Sequence, residues 1–436
     1  MREQHLKADD NLGRKCLITL LLLLGIRFLS CVPTPGVNTA YFKLMIQQNE
    51  SLGFLNALMG SGLSSMSIMA LSITPYITAS IIMQLMGIVF PKIHEMQHSS
   101  MKDERDYIEK CTIILGVVMA LLESFGIASG FGRQGMLVNY TWQWVLVVSL
   151  FWAAGSSLAS YVGKLITDEY IGNGVSLILC MNILSSYFPD ARSVYQTMLA
   201  GKTGKTYAIT LGAIVLVLFL LFALTVWLQE TEKRIPVNYS QKLGQATNTV
   251  HEDVIPIKLC PASVVPIIFA SSALTLPILI ASAYHKENMM FFKYINTSNW
   301  FDPKHMQYTA GIILYIAMVF FFTYYYTDIT MNPMELADNL KKSYGIIPGV
   351  RPGDETTAFL REQMRVMLGI GAAAMCLVAI LPFIFSGLFG IRNTSFLGTS
   401  IIITVGVIYE TGTTLHSLMC GRKYFKKSEK GGLLRA

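Results

Sequence analysis

Along the 436-residue chain, runs of mostly apolar positions alternate with short polar segments. A run of about 20 such positions lets an α-helix cross about 30 Å of hydrocarbon. Ten such runs are predicted, near 16–32, 70–90, 111–130, 142–162, 170–188, 207–228, 261–283, 308–328, 366–388 and 396–418. The pattern therefore predicts an all-α membrane protein with an even number of spans and both termini on one side.

One stretch does not fit a single helix. No charged residue occurs from Gly53 to Phe90. As one helix this stretch would be about 57 Å long, nearly twice the hydrocarbon thickness. Gly60, Gly62 and the serines at 61, 64, 65 and 67 weaken its first half, and Pro75 removes a backbone donor in its second. A short half-helix near 53–67, folded into the protein ahead of a full span, is expected. A surface re-entrant loop is the alternative. Broken helices at membrane depth need protein or a cavity around them.

Composition agrees with a membrane-embedded body: 53% hydrophobic, 14% charged and a mean hydropathy of +0.48. Soluble domains carry roughly 25% charged residues. The seven cysteines are dispersed and form no CxxC pair, which argues against a zinc knuckle or disulfide framework. Arg2, Lys7, Arg14 and Lys15 precede the leucine run Leu20–Leu24 like the start of a secretory signal, and Cys31 follows it. Arg27 interrupts the run, however, and no small-residue cleavage site follows, so the segment reads as a span.

The position of the charge says more than its total. Of the 34 basic residues, 24 fall on the side shared by the termini, in the tails, the 91–110 loop, Lys164, and the long loops 229–260 and 329–365. Short loops rich in Lys and Arg stay cytosolic. Inside the spans charge is sparse: Arg27, Glu123 and Glu410. A proton-coupled carrier usually needs more.

Two motifs tempt a different reading. His94-Glu95-Met96-Gln97-His98 matches H-E-x-x-H, which on a helix binds zinc with Glu as general base. It follows Pro91 in a short loop, and only Asp103 and Glu104 are near enough in sequence to supply a third ligand. Gly201-Lys-Thr-Gly-Lys-Thr206 looks like a phosphate loop but lacks the glycine that the pattern needs earlier, and reads as a linker. No catalytic constellation, metal or cofactor is expected. A faint repeat relates Pro75-Tyr-Ile77-Thr-Ala79-Ser80 to Pro266-Ile-Ile268-Phe-Ala270-Ser271, five spans apart. Five being odd, the halves would have inverted topology, a recurrent plan in transport proteins. A secondary transporter, an ion channel and a membrane zinc protease remain as rival readings at this point.

Seven stretches, in order, resemble the SecY family, the channel subunit of the bacterial protein translocase. They are Ser67–Ile81, Ile171–Ser176, Arg234–Tyr239, Pro266–Ser272, Asn332–Lys342, Ile347–Gly353 and Gly398–Ser400. The resemblance covers almost the whole chain. It implies a non-enzymatic, protein-conducting channel in the bacterial plasma membrane with both termini cytosolic. An N-terminal half (1–190) and a C-terminal half (191–420) would clamp a pore, followed by a basic tail (421–436). An apolar pore ring would consist of Ile73, Ile77, Val175, Leu179, Ile268 and Ile403. The plug would include Leu55, Leu58, Met59, Gly60, Leu63 and Ser64. A lateral gate between the second and third and the seventh and eighth spans would involve Ser80, Glu123, Ser271 and Ser272. The family's usual Asn before the seventh span is Cys260 here, with Glu123 as a candidate replacement contact. Lys233, Arg234 and Arg351 would dock the SecA motor ATPase or the ribosome. SecE- and SecG-type small subunits, signal peptides, nascent chains and the lipid bilayer are the other implied partners.

Overall fold

A computed structural model of the chain describes residues 12–40, 59, 62–97, 102–195, 205–239, 252–261, 264–283, 289–295, 300, 306–331, 333–389 and 399–430. In order the helices are α1 Leu12–Leu29, α2 Thr74–Val89, α3 Pro91–Gln97, α4 Lys102–Phe131, α5 Trp142–Glu169, α6 Gly174–Val194 and α7 Lys205–Glu230. There follow strands β1 Glu232–Tyr239 and β2 Glu252–Lys258, then α8 Val265–Ala283, α9 Met290–Ile295, α10 Gly311–Thr330 and α11 Pro333–Lys342. The chain ends with β3 Gly345–Ile346, α12 Asp354–Phe389 and α13 Thr399–Lys430.

A helix occupies each of the ten predicted intervals. Among the described residues six helices are long and apolar enough to cross a membrane, and the bent pair α2–α3, taken as one span, makes a seventh. Gly174–Phe188 and Val265–Leu274 are shorter apolar helices. α1 is apolar apart from three cations, Arg14, Lys15 and Arg27, within its 18 residues.

Three expectations need correction, and a fourth is described only in part. The fold is not all-α: β2, β1 and β3 form an antiparallel sheet in that order, pairing Arg234 with Pro256 and Asn238 with Ile346. The alternating apolar positions Ile235, Val237 and Ile257 are buried against Ala337 and Leu340 of α11 and Leu360 of α12, the period-2 signature of a half-buried strand. The sheet therefore links both long polar loops. Secondly, residues 59 and 62–67, the described part of the expected 53–67 half-helix, form a series of turns. Gly62 N donates to Met59 O and Met66 N to Leu63 O. Met66 and Ser72 adopt left-handed φ values of 46° and 47°, which no helix tolerates in a β-carbon-bearing residue at low cost. Thirdly, the second span begins at Thr74 rather than 70, so Pro75 lies in its first turn, where no intrahelical donor is lost. Pro266 holds the equivalent place in α8, so the two matched prolines are helix starts. Finally, the segment with the H-E-x-x-H motif is helical up to Gln97, turned 119° from α2, rather than a plain loop.

One large apolar core joins α1, α2, α6, α8, α10, α12 and α13. The Tyr187 hydroxyl of α6 donates toward Thr404 Oγ1 of α13 at 2.8 Å, tying the two parts of the chain. A second core holds Met59, Leu63, Met66 and Leu71 against Phe131 of α4 and Trp152 of α5.

Candidate functional site

The Ile171–Ser176 motif builds one wall of the site. Gly172 takes φ +80°, turning the chain between α5 and α6. Asn173 then caps α6, its side-chain oxygen accepting from Val175 N at 3.1 Å and Ser176 N at 3.3 Å. Thr167 Oγ1 accepts from Gly174 N at 2.9 Å. Gly174 lies directly on the carbonyl of Gly163, so close that a side chain at 174 would collide with it. This contact brings Val175 and Leu179 inward; a Cβ on Gly163 would lie 3.2 Å from Ile73.

Ile73 and Ile77 enter from the start of α2, Leu179 from α6, Ile268 from α8 and Ile403 from α13. All five are buried in the large core, with Val175 packed against it. Ile77, Val175, Leu179 and Ile268 also line a cavity of about 200 Å³, whose polar wall is formed by Tyr76, Gln84, Glu109, Lys164, Thr167 and Asn173. Lys164 and Glu109 pair at 3.1 Å. Four of the six residues of the sequence-based ring thus line one cavity that also has polar groups in its wall.

On the other side lies the turn segment. Ser72 Oγ accepts from Asn182 Nδ2 of α6 at 2.8 Å, and Thr34 N donates to Met66 O at 2.8 Å. Trp152 Nε1 donates to Thr34 Oγ1 at 3.0 Å. Asn182 was not singled out in the sequence; an Asn inside an apolar run is the signal that identifies it. Of the residues assigned to the plug, Met59, Leu63 and Ser64 are described, the first two fully buried. Leu55, Leu58 and Gly60 lie outside the described residues, as does the 201–204 part of the phosphate-loop-like stretch.

α8 packs on α2 and α4. Ser80 faces the small cavity. The Ser271 hydroxyl donates to Ile267 O of its own helix, and the buried Ser272 hydroxyl has no hydrogen-bond partner among the described residues. Small side chains here allow close helix approach. The Glu123 carboxyl of α4 is buried beside Thr78 of α2, whose hydroxyl donates to Thr74 O at 3.2 Å. Cys260 itself reaches across, Sγ to Gly371 O of α12 at 3.5 Å. Its burial predicts that in native membranes it is alkylated by N-ethylmaleimide at least about tenfold more slowly than Cys420, because reaction waits on local opening. Peptide mapping by mass spectrometry checks this; equal rates would contradict the contact.

The polar loops present the docking candidates. Gly349 and Gly353 take φ +82° and +112°, a conformation that favours glycine, and hold Arg351 out between them, 88% exposed and 3.9 Å from Glu355. Arg234 pairs with Glu232 at 2.9 Å, and Lys233 Nζ donates to Gln363 Oε1 at 2.6 Å. His94 and Glu95 lie on α3, while His98 is outside the described residues. Among the described residues no three His, Cys, Asp or Glu side chains converge as a metal site would require.

Fold and site together define a multi-pass helical protein of the protein-conducting channel class. It matches a solved SecY structure entitled "The plug domain of the SecY protein stablizes the closed state of the translocation channel and maintains a membrane seal", with a TM-score of 0.65 and 17% identity over 93% of this chain and 92% of that one. It also matches "Sec61 in the Canine ribosome-channel complex from the endoplasmic reticulum", with a TM-score of 0.61 and 16% identity over 93% and 92%. The SecY family model matches residues 67–412. A relative from Bacillus subtilis, "Protein translocase subunit SecY", is 32% identical over 426 residues, covering 95% of this chain and 96% of the relative. The chain belongs to the SecY family.

Proposed function

We propose that the chain forms the protein-conducting channel of a Sec translocase, moving unfolded secretory polypeptides across the membrane and releasing apolar segments sideways into lipid. It is not an enzyme. The observation that carries the reading is a cavity lined by Ile77 of α2, Val175 and Leu179 of α6 and Ile268 of α8, in a chain that the SecY family model matches over residues 67–412. Apolar constrictions dewet and stop ions, yet offer a passing peptide no specific bond.

On this reading ten helices cross the bilayer: α1, α2, α4 to α8, α10, α12 and α13. The basic-residue asymmetry supports cytosolic termini, and the bacterial plasma membrane is the proposed location. The 53–67 segment is the plug, and the seam of α2 and α4 against α8 and α10 is the lateral gate. SecE- and SecG-type subunits would hold the two halves, 1–190 and 191–420. The exposed Arg351, with the Lys233–Arg234 pair, would dock the SecA motor or the ribosome, since a guanidinium on a rigid turn suits carboxylate or phosphate.

The test is reconstitution with SecE- and SecG-type subunits, the motor and ATP. A signal-bearing polypeptide is expected to become protease-protected inside the vesicles. Gradient-driven solute flux without such protection would overturn the reading in favour of a transporter. Arg351→Glu is expected to cut motor-driven protection about tenfold, the scale of one lost charged contact, with unchanged accumulation in the membrane. Equal loss of both would make Arg351 structural.

A further inference from the structure

Three successive residues at the start of α9, Met289, Met290 and Phe291, are 56%, 70% and 65% exposed. They form an apolar tip on a helix of only six residues, whose one charge is Lys293. The rest of α9 is pinned. Ile295 is buried in the large core. Trp300 Nε1 donates to Tyr294 O at 2.9 Å. Gly311, the first residue of α10, lies so close to the same carbonyl that a side chain there would collide with it. Trp300 in turn packs against Tyr315 of α10 and Phe383 of α12, with ring centroids 5.8 and 5.2 Å apart. Tyr294 meets Tyr308 edge-on at 5.3 Å. Rolling α9 to hide its tip would lift Ile295 out of the core and break the Trp300 bond. The tip is therefore held outward, and an apolar patch so held marks a contact with something else.

The location of α9 says what that is. α8 follows β2 and α10 precedes α11, so α9 joins the two helices at the ends far from the sheet. Two helices that cross a bilayer bring a short connector between their ends to the lipid headgroups. Tyr294, Trp300 and Tyr308 surround it, and Tyr and Trp gather at that level. Met and Phe side chains placed there gain by entering the acyl region, and the flexible Met side chain adapts to a fluid partner. We propose that α9 is an interfacial anchor, with Met289, Met290 and Phe291 inserted into the leaflet on the side opposite the sheet. The ligand is lipid acyl chain, whatever the headgroup, since the tip itself carries no charge. The inference rests on the reading of α8 and α10 as spans. Because α9 joins them, the anchor sets how deep both helices sit.

The experiment places the photoreactive residue p-benzoylphenylalanine, one site at a time, in the full complex. The sites are Phe291, Ile313 on α10 and Tyr344 on the loop that bears Arg351; the last two are 70% and 73% exposed. All three side chains point outward, so the fold is spared. The complex is held in sealed phosphatidylcholine vesicles with tritiated acyl chains, illuminated, and the tritium retained by the chain is read after denaturing electrophoresis. Labelling through position 291 is expected within about threefold of that through 313, and at least about tenfold above that through 344, as for a side chain at the acyl boundary. If 313 is labelled but 291 is no better than 344, the anchor is overturned and the span reading stands. If 313 is not labelled, the reading of α10 as a span fails, and the anchor with it. A photoproduct at 291 joined to a polypeptide instead of lipid also overturns the anchor and makes the tip a protein interface.

Discussion

A channel carrying Ile77→Ser together with Ile268→Ser is expected to conduct ions at rest at least about tenfold faster than the unaltered channel; a tenfold change corresponds to about 1.4 kcal/mol of barrier. Ile77 and Ile268 are 3% and 4% exposed and come from different helices, α2 and α8. Neither rim of the constriction then remains wholly apolar. Each substitution exchanges a branched hydrocarbon for a small hydroxyl, enlarging the gap and giving water a partner. A dewetted gap blocks ions because they must shed hydration with nothing offered in return, and the double change removes both conditions. Two sites are altered because a single vacancy in a packed core is partly closed by neighbours. Ion flux from sealed vesicles, measured without motor or substrate, checks the result. Unchanged flux in a folded double variant would mean that these residues merely pack helices.

The second large effect falls on Gly155. Its Cα lies so close to the main-chain carbonyl of Ile68 that any side chain would collide with that oxygen, with the Ile68 carbonyl carbon only 2.9 Å from an added Cβ. Ile68 N donates to Val32 O at 3.0 Å, and Ser67 bridges to Pro33. Gly155→Val must therefore push the turn segment from both α5 and the 32–34 strand-like stretch. Overpacking of this kind costs about 1–3 kcal/mol, and more when hydrogen bonds break with it. Lower accumulation, protease cutting between residues 62 and 72, and a resting ion leak are all expected. Gly126→Ala is the control, because an added Cβ there meets nothing within 4 Å. If both variants behave alike, the close contact does not hold the turn segment.

Much of this was legible in the sequence, for identifiable reasons. Lipid demands long uninterrupted apolar runs, so each of the ten intervals contains a helix even though boundaries moved: α4 and α12 run well beyond the apolar stretch into charged turns at Lys102 and Asp354. The ring candidates, named from motif positions, share or pack on one core, and the Gly163–Gly174 contact explains why that motif needs its glycine. The sheet was missed because Pro236 and Pro256 interrupt its strands and the burial signal is spread over separate loops, with Ile235 and Ile257 finding Leu360 more than a hundred residues later in the chain. The turns of residues 62–72, with Met66 and Ser72 in left-handed conformations, were not foreseen because apolarity there records burial and carries no backbone signal. Gln97 was seen only as a spacer between two histidines; its contact with Tyr325 joins positions 228 residues apart, which no local pattern encodes.

The β2-β1-β3 sheet has a mechanical consequence. β1 follows directly on α7, β3 belongs to the loop that bears Arg351, and Lys233 is tied to Gln363 on α12. The two long loops are thereby joined through one sheet to α7 and α12. On the proposed docking at Arg351, a load applied there would reach α7 and α12 through the sheet instead of being lost in slack chain.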